Sequence, residues 1–414
     1  MGGFFGVASR RECAETLFYG TDYHSHLGTM RGGLATVSKS GEFSRFIHDI
    51  TNAQFRSKFE TDVTRLRGCL GIGVISDYED QPLVITSHLG TYAIVTVGKI
   101  NNTGDLMRRA FQQHAAHISN MTLGEINPTE LVATLINQAD TFAAGIRRAQ
   151  ALIRGSCSML ILTRDAIYAA RDRMGRTPVI LGRRGGRGNS GRAVCMESCA
   201  FPNLDFEPDR ELGPGEVVRL TPEGVEPIAP PGARMRVCAF LWVYYGYPAS
   251  SYEGVNVEMA RNRCGMMLAR RDKADGACGG DIVCGIPDSG VGHALGYAGE
   301  SGIPYLRPFV KYTPTWPRSF MPQSQTMRTL IARMKLILRG RRFGFSLEEI
   351  RLWLMAYRQK GTKPQLEYWL QLADRQLAEL DRQRSELDVT IADLRALRAT
   401  SVAEISRIEG DEND

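Results

Sequence analysis

The sequence has no apolar run approaching the roughly 20 residues that a membrane-spanning helix requires. Its opening, MGGFFGVASRREC, lacks the charged-then-apolar order of a cleavable signal, so a cytoplasmic location and no membrane partner are expected. Cysteine is not scarce, but the nine residues are an odd number scattered from Cys13 to Cys284. None forms a C-x-x-C pair or stands at zinc spacing from histidine, which argues against a disulfide framework and a zinc module. Cys195 with Cys199, and the triplet His24-Ser25-His26, come closest to a metal pattern; they read better as buried thiols and a structural loop. An excess of one charge is also missing. The net charge is +6 over 414 residues, with Lys and Arg interleaved with Asp and Glu, so charge alone does not imply nucleic acid. Two basic stretches, GRRGGRGNSGR at 182–192 and KLILRGRRFGF at 335–345, read as solvated surface turns.

What is present is a succession of β-rich runs with helical stretches between them. LGIGVIS, PLVITSH, YAIVTVGKI, MLILTRDAIYAARD and EVVRLTPEG predict strands, RRECAETLFYG a helix containing Cys13, and PTELVATLINQADTFAAGIRRAQALIRG one long helical stretch. Many strands with intervening helices predict an α+β sandwich over the first half of the chain. The proline-rich, aperiodic PIAPPGAR at 227–234 predicts a linker. After it, VCAFLWVYYGY, VNVEMARNRCGMMLARRD, DIVCGIPDSG, HALGYAGESGI and PYLRPFVK predict strand, helix, strand, helix and strand, the α/β rhythm of a parallel sheet whose ligands lie at the carboxyl ends of the strands. Tyr244, Tyr245 and Tyr247 read as packing aromatics.

Near Arg339 the character changes. In GFSLEEIRLWLMAYRQKG, Ser346 with Glu349 predicts a capping box that starts a helix. From Leu370 the apolar positions Leu370, Ala373, Leu377, Leu380, Leu387, Ile391, Leu394, Ile405 and Ile408 recur in steps of three and four, with Arg384, Arg398 and Ser401 filling the register. That repeat, held over about five heptads, predicts a left-handed coiled coil.

The strings AARDRMGRTPVILG and ESCAFPNLDFEPDRELGPGEVVRL resemble the closing strands of the class II glutaminase domain in amidophosphoribosyltransferases. IPDSGVGHALGYAGESGIPYLRPFVKYTPTWPRSFMPQSQTMR resembles the first half of that family's phosphoribosyltransferase domain. The resemblance, over about residues 1–337, implies a class II glutaminase-like αββα sandwich at 1–232, a truncated type I phosphoribosyltransferase domain with a partial parallel sheet at 233–338, and a separate helical segment at 339–414. It also implies the first committed step of de novo purine synthesis, in which ammonia or glutamine nitrogen displaces pyrophosphate from phosphoribosyl pyrophosphate to give phosphoribosylamine.

Measured against that resemblance, the glutaminase site has lost its parts. The family's nucleophilic cysteine position is taken by Gly2 in MGGFFGV, its substrate-gripping Arg by Ser76 in GIGVISDYE, and the Asn of its oxyanion pair by Val97 in VGKINN, while Gly98 survives. Carbonyl attack needs nucleophile, clamp and oxyanion donors together, so glutaminase activity is not expected and no catalytic residue of that site is intact.

The second domain resembles the family more closely. Pro287, Asp288, Ser289 and Gly290 match its pyrophosphate loop, and Lys311, Tyr312, Arg318 and Ser319 match its flexible lid. Phosphoribosyl pyrophosphate or pyrophosphate is the partner this implies, with Mg²⁺ only in company with the former. Downstream of RMKLI, however, the sequence runs into LRGRRFGFSLEEIRLWL, without the acidic pair and Ser/Thr-Gly loop that hold the ribose phosphate, so this chain is expected to be inactive. Cys238 matches an iron–sulfur ligand of some members, but no cluster is expected.

The C-terminal RRFGFSLEEIRLWLMAYRQKG and QLADRQLAELDRQRSELDVTIADLRALRA resemble the end of MerR-type transcription regulators, a short helix pair leading to a long dimerisation helix. No DNA-reading winged helix precedes them, so a homodimer through 370–408 is expected and DNA binding is disfavoured. The alternative to an enzyme is a catalytically silent dimeric scaffold or regulatory interaction protein.

Overall fold

A computed structural model describes residues 2–51, 53–77, 79–112, 121–122, 125–185, 190–310, 336–337, 339–360 and 362–411. The chain divides into two compact units, Met1–Trp316 and Pro317–Asp414.

The first unit is built on two antiparallel sheets. One has seven strands in the spatial order Glu207–Glu211, Ile180–Arg184, Gly191–Cys195, Gly3–Ser9, Leu70–Ser76, Arg31–Val37 and Phe43–Asp49. The other has six, in the order Val225–Ala229, Val217–Leu220, Ile167–Ala170, Gly155–Leu162, Gly90–Ile100 and Leu83–Ser87. Because successive strand residues face opposite sides, alternation sorts their side chains into separate cores. Phe4, Ile72, Val74, Val95, Leu160 and Leu162 meet between the sheets. Phe5, Val7 and Ile75 turn outward to pack with Leu17 and Phe18 of α1 (Ala14–Asp22) and Phe55 and Phe59 of α2 (Phe55–Val63). On the opposite outer face Tyr92, Ile94, Met159 and Ile161 meet α4 (Pro128–Ile136) and α5 (Phe142–Leu152) through Leu131, Leu135 and Ile146, with Leu106 of α3 (Thr103–Gln112) beside them. Apolar residues on both faces of a central strand explain runs as hydrophobic as LGIGVIS, and the layers are those of an αββα sandwich.

Several local expectations need correction. The stretch 128–155 is two helices: α4 is capped by the Asn127 side chain accepting from the Thr129 amide, and Thr141 opens α5 by accepting from the Ala144 amide, so a second start signal interrupts the periodic run. Cys13 lies just before α1 rather than within it. The segment 227–234 is not all linker, because Val225–Ala229 pairs with Val217–Leu220 across a register shift; at the sheet's edge, Pro227 removes no interior ladder bond. The run VCAFLWVYYGY is not a strand. Leu241–Tyr245 forms a π-helical turn, buried through Leu241 and Tyr245 and held by the Arg261 guanidinium, which donates to the Trp242 carbonyl at 2.8 Å and the Gly246 carbonyl at 2.9 Å. The predicted parallel sheet is reduced, among the described residues, to a parallel bridge between Val283 and Tyr305.

Two helices position the loop that follows Val283. α6 (Val257–Ala274), capped by Asn256, packs on α7 (Gly290–Ser301) through glycines. A Cβ on Gly265 would lie 1.9 Å from the His293 carbonyl oxygen, and one on Gly296 would lie 1.9 Å from that of Asn262. The two backbones therefore touch where any side chain would hold them apart.

In the second unit, α8 (Leu347–Lys360) begins with the expected capping box: the Ser346 amide donates to Glu349 at 2.8 Å and the Glu349 amide to Ser346 Oγ at 3.2 Å. Phe345, Ile350, Trp353 and Leu354 pack on Tyr368, Trp369 and Leu372 near the start of the long α9 (Thr362–Asp411). Beyond that contact Leu377, Leu380, Leu387, Ile391 and Leu394 are exposed. Among the described residues, no helix is long and apolar enough to cross a membrane.

Candidate functional site

The first candidate site lies where Gly3–Ser9 runs beside Leu70–Ser76. Gly3 pairs with Ile75, which brings Gly2 against Ser76. Gly2 is buried, and a Cβ added to it would stand 2.2 Å from the Ile75 carbonyl oxygen and 3.3 Å from the Ser76 Cα. Thus the position lacks not only a nucleophile but also the space for one. Ser76 is buried and spends its hydroxyl locally, donating to the Glu79 carbonyl at 2.7 Å. Val97 is buried in the inter-sheet core with Phe4 and Val74. Gly98 takes a positive φ of 153° and comes so close to Ser156 that a Cβ would meet its carbonyl oxygen at 2.0 Å, so it is kept by backbone geometry alone.

Two residues missed by motif reading complete this corner. Arg31 pairs in register with Ser76, placing a guanidinium beside the vanished clamp. It is engaged by Asp80 at 2.8 Å and by Asp49, so a substrate carboxylate would have to displace both acids. Gln81, also buried, turns its carboxamide onto Thr96, accepting from the amide at 2.7 Å and donating to the carbonyl at 3.1 Å. Neither residue carries a sequence signal, because each matters only through its cross-strand neighbour.

Neither Cys13 nor Cys157 is poised as a nucleophile. Burial raises the Cys13 thiol far above its usual range and pushes that of Cys157, the residue paired with Gly98, up to about 12. Both are held as unreactive thiols.

His24 is a buried tether. Its Nδ1 bonds to the Gly20 carbonyl at 2.8 Å, and its Nε2 accepts from the Met196 and Glu197 amides at 3.2 and 3.1 Å. Burial lowers its pKa to about 4, which keeps the ring neutral. The buried Glu197 joins His26 at 3.0 Å and the Tyr252 hydroxyl at 2.7 Å. Burial alone would raise its carboxyl, but the hydrogen bond and charge of His26, with further help from Ser250, hold it below the ordinary range. Tyr247 lies against His26, and Tyr244 and Tyr245 meet edge to face, so these aromatics pack as expected.

A second cluster meets the first at Glu253, next to Tyr252. Arg171, fully buried, donates to the carbonyls of Thr177, Gly175 and Leu212 and to Glu253 Oε1 at 2.6 Å. Glu253 has a left-handed φ of 48°, and its amide donates to Glu211 Oε1 at 2.7 Å. Burial first, and then the charge of Glu253, push the Glu211 carboxyl up to about 7.

The second candidate site is the loop Ile286–Gly290 between the Val283 bridge and α7. Pro287, Asp288, Ser289 and Gly290 lie together at the N-terminus of α7, where main-chain amides favour an anion. The Gly290 amide donates to the Ile286 carbonyl at 3.0 Å and that of Val291 to the Asp288 carbonyl at 3.2 Å, while the Ser289 side chain makes no cap bond. A Cβ on Gly285 would meet the Val291 Cα at 2.7 Å, so the loop folds tightly over that glycine. Lys311, Tyr312, Arg318 and Ser319 lie outside the described residues. Cys238 is half-buried, its amide donating to the Arg176 carbonyl at 3.1 Å. Among the described residues, no group of three or more His, Cys, Asp or Glu side chains is placed to hold a metal ion.

Comparison with known proteins places the fold in a family. The family described as glutamine amidotransferase domain matches residues 69–191, and the one described as MerR, DNA binding matches residues 331–397. The amidophosphoribosyltransferase of Methanocaldococcus jannaschii is 31% identical over 375 residues, covering 83% of this chain and 76% of that protein. That of Bacillus subtilis is 26% identical over 346 residues, covering 81% and 69%. Among solved structures, the glutamine phosphoribosylpyrophosphate amidotransferase of B. subtilis, complexed with ADP and GMP, superposes with a TM-score of 0.67 at 25% identity over 79% of this chain and 70% of that one.

Proposed function

This chain belongs to the amidophosphoribosyltransferase family, and from that premise we propose that it is a member without glutaminase chemistry that keeps a diphosphate-binding loop and acts as a dimeric interaction protein. The observation that carries the proposal is the Ile75 carbonyl oxygen, 2.2 Å from where a side chain at Gly2 would begin. A hydrolytic site needs a nucleophile in reach of its substrate, and here the backbone occupies the place of one. With Ser76 turned to Glu79, Arg31 held by two acids and Val97 in the core, neither substrate clamp nor oxyanion donor is supplied.

The loop Pro287–Gly290 fits an anion by its place at the start of α7. Phosphoribosyl pyrophosphate is the ligand implied by the relatives' name, with Mg²⁺ arriving on its diphosphate rather than held by the chain. Ser289, whose side chain makes no cap bond, is the hydroxyl offered to it. The domain division near residues 232 and 338 belongs to the same reading, as does a cytoplasmic location.

The exposed seam of α9 supports a homodimer through 370–408, since isolated Leu and Ile at heptad spacing are stabilised by a second helix. DNA is the competing partner, because the family matched at 331–397 is described as DNA-binding.

Isothermal titration with phosphoribosyl pyrophosphate and Mg²⁺ should show binding that Ser289→Asp weakens. Assays for glutamine hydrolysis and for ammonia-dependent pyrophosphate release should show no turnover, including in Gly2→Cys, and sedimentation should give a dimer that does not shift duplex DNA. Turnover would refute the silent reading, and absence of diphosphate binding would refute the loop assignment.

A further inference from the structure

A cleft between α3 and α5, on the outer face of the sandwich, has no part in either site above. Two adjoining hollows, about 250 Å³ and about 150 Å³, share Leu106, Arg109 and Leu152. The larger is rimmed by Arg154 and Arg173, and the smaller extends the apolar floor and carries Arg148 on its wall. Several exposed arginines of this unit, such as Arg56, Arg210 and Arg219, are matched by acids.

Here the match is missing. Arg109, Arg154 and Arg173 have no acidic partner among the described residues, and Arg148 is turned onto the uncharged Gln138 at 3.1 and 3.0 Å. Asp105, the acid on the rim, is engaged by Arg108 at 2.5 Å. The rim is also built rather than loose. Asn102 accepts from the Arg154 amide at 2.9 Å and donates to the Leu152 carbonyl at 3.0 Å, and the turn bearing Arg173 is fixed by the Met174 amide donating to Asp172 at 3.0 Å. Side chains rooted on a fixed backbone need less ordering to engage a ligand than ones on a mobile loop.

We infer that this cleft binds a small phosphate monoester, with the phosphate among Arg109, Arg154 and Arg173 and a compact apolar group on Leu106 and Leu152. Guanidinium groups suit phosphate because planar paired donors match its oxygens. The hollow is of a size for one small ring, and Leu106 and Leu152 would bury that ring's face.

The test uses the full chain with phenyl phosphate as probe and inorganic phosphate as comparator, followed by isothermal titration at low ionic strength. Arg154→Glu with Arg173→Glu alters only exposed side chains, and an unchanged circular dichroism melt checks that the fold survives. Phenyl phosphate should bind one to one, more tightly than inorganic phosphate, and about tenfold or more weaker in the doubly reversed protein, the scale set by losing charged hydrogen bonds. It should be unaffected by Ser289→Asp, which separates this cleft from the diphosphate loop. Binding that survives the double reversal, depends on Ser289, or is equal for the two probes would overturn the assignment, as would no binding at all.

Discussion

Replacing Glu211 by glutamine should change how the stability of the first unit depends on pH. In the folded protein burial and the neighbouring Glu253 charge push this carboxyl up to about 7, against an ordinary value of 4.5. Between those values the folded chain holds a proton that the unfolded chain has released. Stability therefore falls as pH rises through this window, with the full loss reached above the folded value. The gap corresponds to roughly 3 kcal/mol if taken whole. Partial solvent access reduces it, so about 1–2 kcal/mol is the expected size. Glutamine keeps an oxygen for the Glu253 amide, supplies a donor where Glu211 Oε2 has no partner, and carries no charge to titrate. Urea unfolding at pH 5 and pH 8, at matched salt, measures the effect. The unsubstituted protein should lose about 1–2 kcal/mol more than the variant over that range, and the variant should be the more stable of the two at pH 8. Parallel pH dependences, or a less stable variant at pH 8, would refute the reasoning. Other groups titrating in the same range cancel in the difference.

The His24 imidazole, lowered by burial to about 4, should show no chemical-shift titration near 6.5 in an NMR pH series; because the unfolded ring takes a proton the folded one refuses, stability should fall as pH drops from 6.5 towards 4. Gly265→Ala should cost about 1–3 kcal/mol by forcing α6 from α7, against a helix-propensity gain of about 1 kcal/mol, and an unchanged midpoint in thermal unfolding would argue against the close crossing. Ser346→Ala should remove about 1 kcal/mol from the start of α8, read as an earlier loss of helical circular dichroism from the second unit.

The sandwich was legible because its strands carry their own signal: runs buried on both faces, such as LGIGVIS and MLIL, are short, apolar and bounded by turns. Glycine at position 2 is read directly from the sequence, but the closeness of the Ile75 carbonyl to it is not, since that oxygen comes from a neighbouring strand. VCAFLWVYYGY has the composition of a strand, and only the buried Arg261 guanidinium, arriving from α6 to take two carbonyls, makes a helical turn preferable. Likewise the roles of Arg31 and of the Arg171–Glu253–Glu211 cluster arise from pairing between distant segments, which no local pattern encodes.

The bare crossing at Gly265 and Gly296 reaches further than its own helices. Because α7 cannot lift away from α6 without opening a gap, nor settle closer, the four residues ahead of it are anchored at the end of a fixed helix. On the proposed reading of that loop, variation that tunes its grip on an anion can thus arise about two turns downstream, in a spot that never meets the anion. Substitutions there would read as mild packing changes in a folding assay while acting as changes of affinity.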